Sequence, residues 1–148
     1  MDRIDVLLAS FDELHPRTAY LLWQLRESVF VVEQQCPYPE LDGRDVEPGT
    51  RHFWVERDGG PVGYLRILAA GGEARIGRVL VAGAWRGRGI AEALMRAALE
   101  EIGDRPVRLD AQTYLSGWYT RFGFERTGPE FVEDGIPHVP MRRESNAG

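Results

Sequence analysis

The stretch VLVAGAWRGRGIAEALMRAALEEIG, Val79 to Gly103, decides how the chain is read. It opens as a β-branched strand, passes through glycines and arginines, and ends as a helix. Ile90, Leu94, Ala97, Ala98 and Ile102 recur at helical spacing, and Gly103 is a natural C-terminal stop. The charges are reversed for a free-standing helix. Arg86 and Arg88 crowd the partially positive N-terminus, while Glu100 and Glu101 sit at the partially negative end. First-turn N–H groups lack internal partners, and glycines at Gly87 and Gly89 allow close backbone approach, so this turn could hold an anion such as a pyrophosphate. A glycine-relaxed turn with solvated arginines accounts for the same residues. Neither G-x-G-x-x-G nor the P-loop pattern is satisfied.

Outward from this stretch the period is two. RHFWVER (Arg51–Arg57), VGYLRIL (Val62–Leu68) and ARIGRVLV (Ala74–Val81) predict strands, joined by hairpin turns at Asp58–Gly60 and Ala70–Glu73. VRLDAQ (Val107–Gln112) predicts a strand after the helix, so strand, helix and strand imply one parallel pair. Ile4–Leu8 predicts an edge strand. Pro16–Gln34 predicts a helix whose face carries Leu21, Leu22, Leu25, Val29 and Val32. Tyr114–Arg121 predicts a short helix ending at Gly123, followed by a hairpin of Phe124–Phe131 and Pro137–Arg142. The fold class is α+β: a mostly antiparallel sheet of six or seven strands, strands four and five parallel, flanked by helices, in one domain over residues 1–148.

The 148 residues are 43% hydrophobic, a globular composition with no run long enough to span a bilayer. The start MDRIDVLLAS does not read as a signal peptide. The net charge of −5 argues against a nucleic-acid partner. A single cysteine, Cys36, forms no internal disulfide, and no metal-ligand spacing appears, so no metal is expected and a cytoplasmic location is the simplest reading. All 18 basic residues counted as Lys plus Arg are Arg, to which we attach no function.

RGRGIA, Arg86 to Ala91, is similar to the Arg/Gln-x-x-Gly-x-Gly/Ala signature of the GNAT superfamily of N-acetyltransferases, at the place where that family carries it. WYTRFGF (Trp118–Phe124) resembles its second landmark. VFVVEQQCPYPELDGRD (Val29–Asp45), LDAQ and EDGIPHVPM (Glu133–Met141) resemble the ElaA-type subgroup. The resemblance covers nearly the whole chain and implies a GNAT-like fold and acetyl-CoA-dependent acyl transfer, with acetyl-CoA as co-substrate. It implies that the backbone of Val79, Leu80 and Val81 pairs with the pantetheine arm. By the same resemblance the N–H groups of Arg86, Gly87, Arg88, Gly89, Ile90 and Ala91 hold the pyrophosphate, Gln112 touches the cofactor arm, and Tyr119 lies beside the thioester sulfur. Gly83 replaces the usual proline, and Trp85 is a large residue before the signature; both leave the amide donors intact.

An amine attacks a thioester only when neutral, and an alkylamine with a pKa of about 10.4 is mostly protonated at neutral pH. A base therefore helps, and an acid near the sulfur helps the thiolate leave. Tyr119 is the acid candidate, against a plain core aromatic. Glu33 and His138 are the base candidates, against a solvated helix-end carboxylate and a structural histidine; His52 and His15 have weaker claims, and Cys36 reads as inert.

The prolyl-glycyl loop Cys36–Thr50 carries Glu40, Asp42, Asp45 and Glu47. These form either a solvated surface or a lid attracting a cationic acceptor, a small-molecule or peptide amine. Edge strands leave room for a homodimer. Two other functions remain: a non-catalytic CoA-binding sensor or partner domain, and acyl transfer from another donor such as an acyl carrier protein. The block around Arg26, Phe30, Glu40 and Asp42 resembles acyl-homoserine-lactone synthases in this last respect.

Overall fold

The computed structural model describes residues 3–35 and 39–144. Cys36 lies outside the described residues. Among the described residues eight strands form one sheet: β1 (Leu7–Ala9), β2 (Arg51–Arg57), β3 (Gly60–Ala70), β4 (Glu73–Val81), β5 (Val107–Gln112), β6 (Glu125–Arg126), β7 (Phe131–Glu133) and β8 (Ile136–Arg143). Their order is β1-β2-β3-β4-β5-β8-β6, with β7 also on β8. All pairs are antiparallel except β4–β5. The helices are α1 (Pro16–Arg26), α2 (Ile90–Ile102) and α3 (Ser116–Thr120). None is long and apolar enough to cross a membrane among the described residues.

The meander follows its turn chemistry. Asp58 and Gly59 between β2 and β3, Gly71 and Gly72 between β3 and β4, and Asp134 and Gly135 between β7 and β8 all take positive φ, as tight hairpin turns require. Alternating residues of β2 to β5 then meet the apolar face of α2. Phe53, Val55, Leu65, Ile76, Leu94, Met95, Ala98, Val107 and Leu109 form the main core.

Five sequence expectations are corrected. The first strand is Leu7–Ala9, not Ile4–Leu8, because pairing with Phe53 and its neighbours sets its limits. The sheet has eight strands, not six or seven. Phe124–Phe131 does not form one strand, since the chain leaves the sheet between β6 and β7 around Gly128 and Pro129, whose ring nitrogen cannot donate. The 16–34 helix changes type. After Arg26 it opens into a π-helical segment, Glu27–Glu33, closed by Gln34 N–H to Val29 C=O at 3.0 Å. The wider turn rotates later side chains out of the α-helical phase. Val32 is thus 68% exposed, while Arg26 is fully buried. The short helix expected over Tyr114–Arg121 is a 3₁₀ turn (Thr113–Leu115) followed by α3.

Candidate active site

The parallel pair is short: only Ala74–Val107 and Arg75–Arg108 are in register. Beyond them β4 and β5 diverge. Two cavities adjoin β4. One, of about 390 Å³, is lined by Arg75–Val79 of β4, Leu109, Asp110 and Gln112 of β5, Tyr119, and residues of the π segment and the 39–44 loop. The other, of about 280 Å³, is lined by Val81, Trp85, Arg86, Gly87, Gly89, Ile90, Ala91, Glu92 and Trp118 at the start of α2.

The α2 start is built by backbone. Gly89 is the N-cap with φ 82°, and no side chain caps the helix. Gly87 has φ 76°, and a Cβ there would meet nothing within 4 Å. The first regular helix bond runs from Ala93 N–H to Gly89 C=O at 3.0 Å, so the amides of the first turn before Ala93 have no partner within the helix. The arginines do not simply point at this turn. Arg88 lies over the Trp85 ring at 4.8 Å, which gives the large residue at position 85 a job. Arg86 donates through Nε to the Val81 carbonyl at 2.9 Å and pairs with Glu33 at 2.7 Å. The geometry suits an anion through amide donors, with Arg86 lining the cavity beside them.

Tyr119, Gln112 and His138 all line the larger cavity. Tyr119 is 7% exposed, and burial pushes its phenol well above the ordinary value, so the proton is held. Its ring sits edge-on to Trp118 and Phe124. His138 Nδ1–H donates to the Ile136 carbonyl at 2.7 Å, which leaves Nε2 as the lone-pair nitrogen of the neutral ring. Phe131 stacks on the imidazole. Glu33 lines neither cavity; the hydrogen bond and charge of Arg86 hold its carboxyl below the usual range. Val79 and Val81 are split between the two cavities, and Leu80, between them, is buried.

Three of the four loop carboxylates, Glu40, Asp42 and Asp45, are tied to arginines of the fold, while Glu47 pairs with Arg44 at the surface. Asp45 Oδ1 accepts from Arg26 at 2.7 Å and from Arg66 at 2.9 Å. Asp42 takes Arg66 in a two-pronged pair at 3.0 and 2.5 Å. Glu40 Oε2 accepts from Arg26 at 2.7 Å and Arg78 at 2.8 Å. Beneath them His52 Nε2–H donates to the Asp45 carbonyl at 3.0 Å, so Nδ1 accepts the Tyr64 hydroxyl at 2.6 Å. Burial lowers the His52 pKa, and the ring stays neutral. Glu40, Asp42 and Asp45 are therefore spent on arginines, which corrects the expectation of a carboxylate lid free to draw in a cation. The signal was present in sequence: Arg26 interrupts the stripe Leu22–Arg26–Val29, and Arg66 stands inside the apolar run of β3. A charge on a buried face needs buried partners.

Residues 24–145 match the acetyltransferase (GNAT) domain family. UPF0039 protein Rv2851c of Mycobacterium tuberculosis is 54% identical over 136 residues, 88% of this chain and 87% of that protein. Escherichia coli ElaA is 42% identical over 139 residues, 89% of this chain and 91% of that protein. The crystal structure of E. coli ElaA superposes with a TM-score of 0.90 at 39% identity, covering 96% of this chain and 100% of that one. That of an acyl-CoA N-acyltransferase from Pseudomonas aeruginosa gives 0.91 at 41% identity, covering 95% and 99%.

Proposed function

The chain belongs to the acetyltransferase (GNAT) family, and on that premise we propose that it transfers the acetyl group of acetyl-CoA to a primary amine by direct attack. The observation that carries this reading is the divergence of β4 from β5 immediately below an uncapped helix start, with a buried tyrosine in the resulting slot. The slot leaves β4 without a strand partner on one side. Val79, Leu80 and Val81 would pair with the extended pantetheine arm there, as an added strand does. The amides from Arg86 to Ala91 would take the pyrophosphate, with Gly87 and Gly89 leaving room for its approach. Gln112 would steady the arm from β5.

Tyr119 would protonate the leaving thiolate. A phenol whose proton is held by burial is a donor throughout the neutral range. No covalent enzyme intermediate is required; holding amine and thioester together supplies much of the acceleration. His138 is the better base of the two candidates. It shares the cavity with Tyr119 and offers Nε2, whereas Glu33 is committed to Arg86 and less basic for it. His138→Asn is expected to lower kcat about 10²-fold near neutral pH, the usual worth of a positioned base. Glu33→Gln is expected to leave kcat close to wild type. Steady-state rates of both variants check the assignment.

The acceptor we propose is a basic amine, free or in a peptide. Glu133 of β7 also lines the cavity and adds a negative charge at its β7–β8 end. The direct test is release of CoA thiol from acetyl-CoA in the presence of a panel of cationic amines and basic peptides. Amine-dependent release supports the reading. Tight acetyl-CoA binding with no release on any amine would favour a sensor.

A further inference from the structure

Arg78 has φ +55°, a left-handed conformation that side-chain-bearing residues seldom adopt inside a strand. It sits where the β3–β4 register slips: Tyr64 faces Leu80 and Arg66 faces Gly77, so Arg78 and Val79 together oppose Leu65. This is a bulge, and it turns β4 at the residues that line the acyl slot. Something must hold the strained residue there. Glu40 does so twice. Its Oε2 accepts from Arg78 Nε at 2.8 Å, and its backbone carbonyl accepts from Arg78 Nη2 at 3.1 Å. On the other side Arg26 grips the same two oxygens, at 2.7 and 3.3 Å. Arg26 is fully buried at the end of α1 and anchored by Asp45. Glu40 is thus clamped between two guanidinium groups, one rooted in the helix and one in the bulge.

We propose that Glu40 is a positioning residue for acyl transfer: the Arg26–Glu40–Arg78 clamp holds the β4 bulge in the shape that receives the thioester. The proposal rests on the acetyltransferase reading above. It accounts for an acid on a distant loop being paired with two arginines, and it makes a specific genetic prediction. Losing the Glu40 carboxylate removes the tie to Arg78 Nε and leaves the strained residue only the residue-40 carbonyl and a long contact to Asp42 at 3.5 Å, whereas glycine at position 78 adopts positive φ without a tie.

The test compares Glu40→Ala, Glu40→Gln and the double variant Glu40→Ala/Arg78→Gly, by acetyl-transfer kinetics and by amide hydrogen exchange along β4. Glu40→Ala is expected to lower kcat tenfold or more, with faster exchange at Val79 and Leu80. Glu40→Gln, which keeps an acceptor oxygen, should lie between it and wild type. The double variant should recover most of both losses. If it is as impaired as Glu40→Ala alone, or if Glu40→Ala exchanges at β4 as wild type does, the clamp is overturned. Should Glu40→Ala not fold, Glu40→Gln with and without Arg78→Gly decides in the same way. Should wild type fail to use acetyl-CoA at all, the enzymatic reading falls, and exchange at β4 still judges the clamp.

Discussion

Tyr119→Phe is expected to reduce kcat by about 10²-fold or more while leaving acetyl-CoA affinity nearly unchanged. The substitution keeps the ring that packs on Trp118 and Phe124 and removes only the hydroxyl. The fold should therefore survive. The loss should fall on the step in which sulfur leaves, so kcat and kcat/KM should drop together. A donor thioester with a better leaving thiolate should narrow the gap between variant and wild type. An unchanged kcat would remove Tyr119 from the chemistry and leave it as a core aromatic.

The largest expected effect on stability is that of Asp45→Ala. One carboxylate oxygen serves two guanidinium groups whose residues are 0% and 3% exposed, Arg26 and Arg66. Removing it leaves two buried cations short of a partner, which costs roughly 3–5 kcal/mol. For a chain of this size that lowers Tm by about 6–20 °C. The pH dependence has a definite sign. Burial pushes the Asp45 carboxyl up, but the hydrogen bonds and charges of Arg26 and Arg66 outweigh it, and its pKa ends below the usual value. Asp42 is lowered further, chiefly by its bond to Arg66. Their contribution is full above the unfolded carboxylate value of about 3.9 and is lost as pH falls through the lower folded values. Thermal melts below pH 4 should therefore fall more steeply for wild type than for Asp45→Asn, which has already lost that titration.

Much of this was legible in the chain because the local and global signals agree. The period of two, with Asp58-Gly59 and Gly71-Gly72 at the turns, places β2 to β4. Leu94, Ala98 and Ile102 place α2, and Gly89 opens it. The cavities beside β4 and at the start of α2 lie between these elements. The ionic core was not legible in this way. Arg26, Arg66 and Arg78 lie in three separate elements, and only the folded chain brings the loop acids to them. The π segment was hidden for a related reason. One extra residue per turn is a tertiary choice that presents Phe30, Val31 and Gln34 to the cavity, and α-helical spacing carries no sign of it.

Acetyl-CoA binding by calorimetry, for wild type and Gly89→Asp, tests the central claim most directly. An aspartate Cβ at position 89 would meet only Ile4 Cδ1 at 3.8 Å, so the fold can accept it, at a strained φ of +82°. Its carboxylate would stand among the amides that should receive the pyrophosphate. The account predicts binding by wild type and at least a tenfold weaker affinity in the folded variant. Equal binding by both proteins, or no binding by folded wild type, would contradict it.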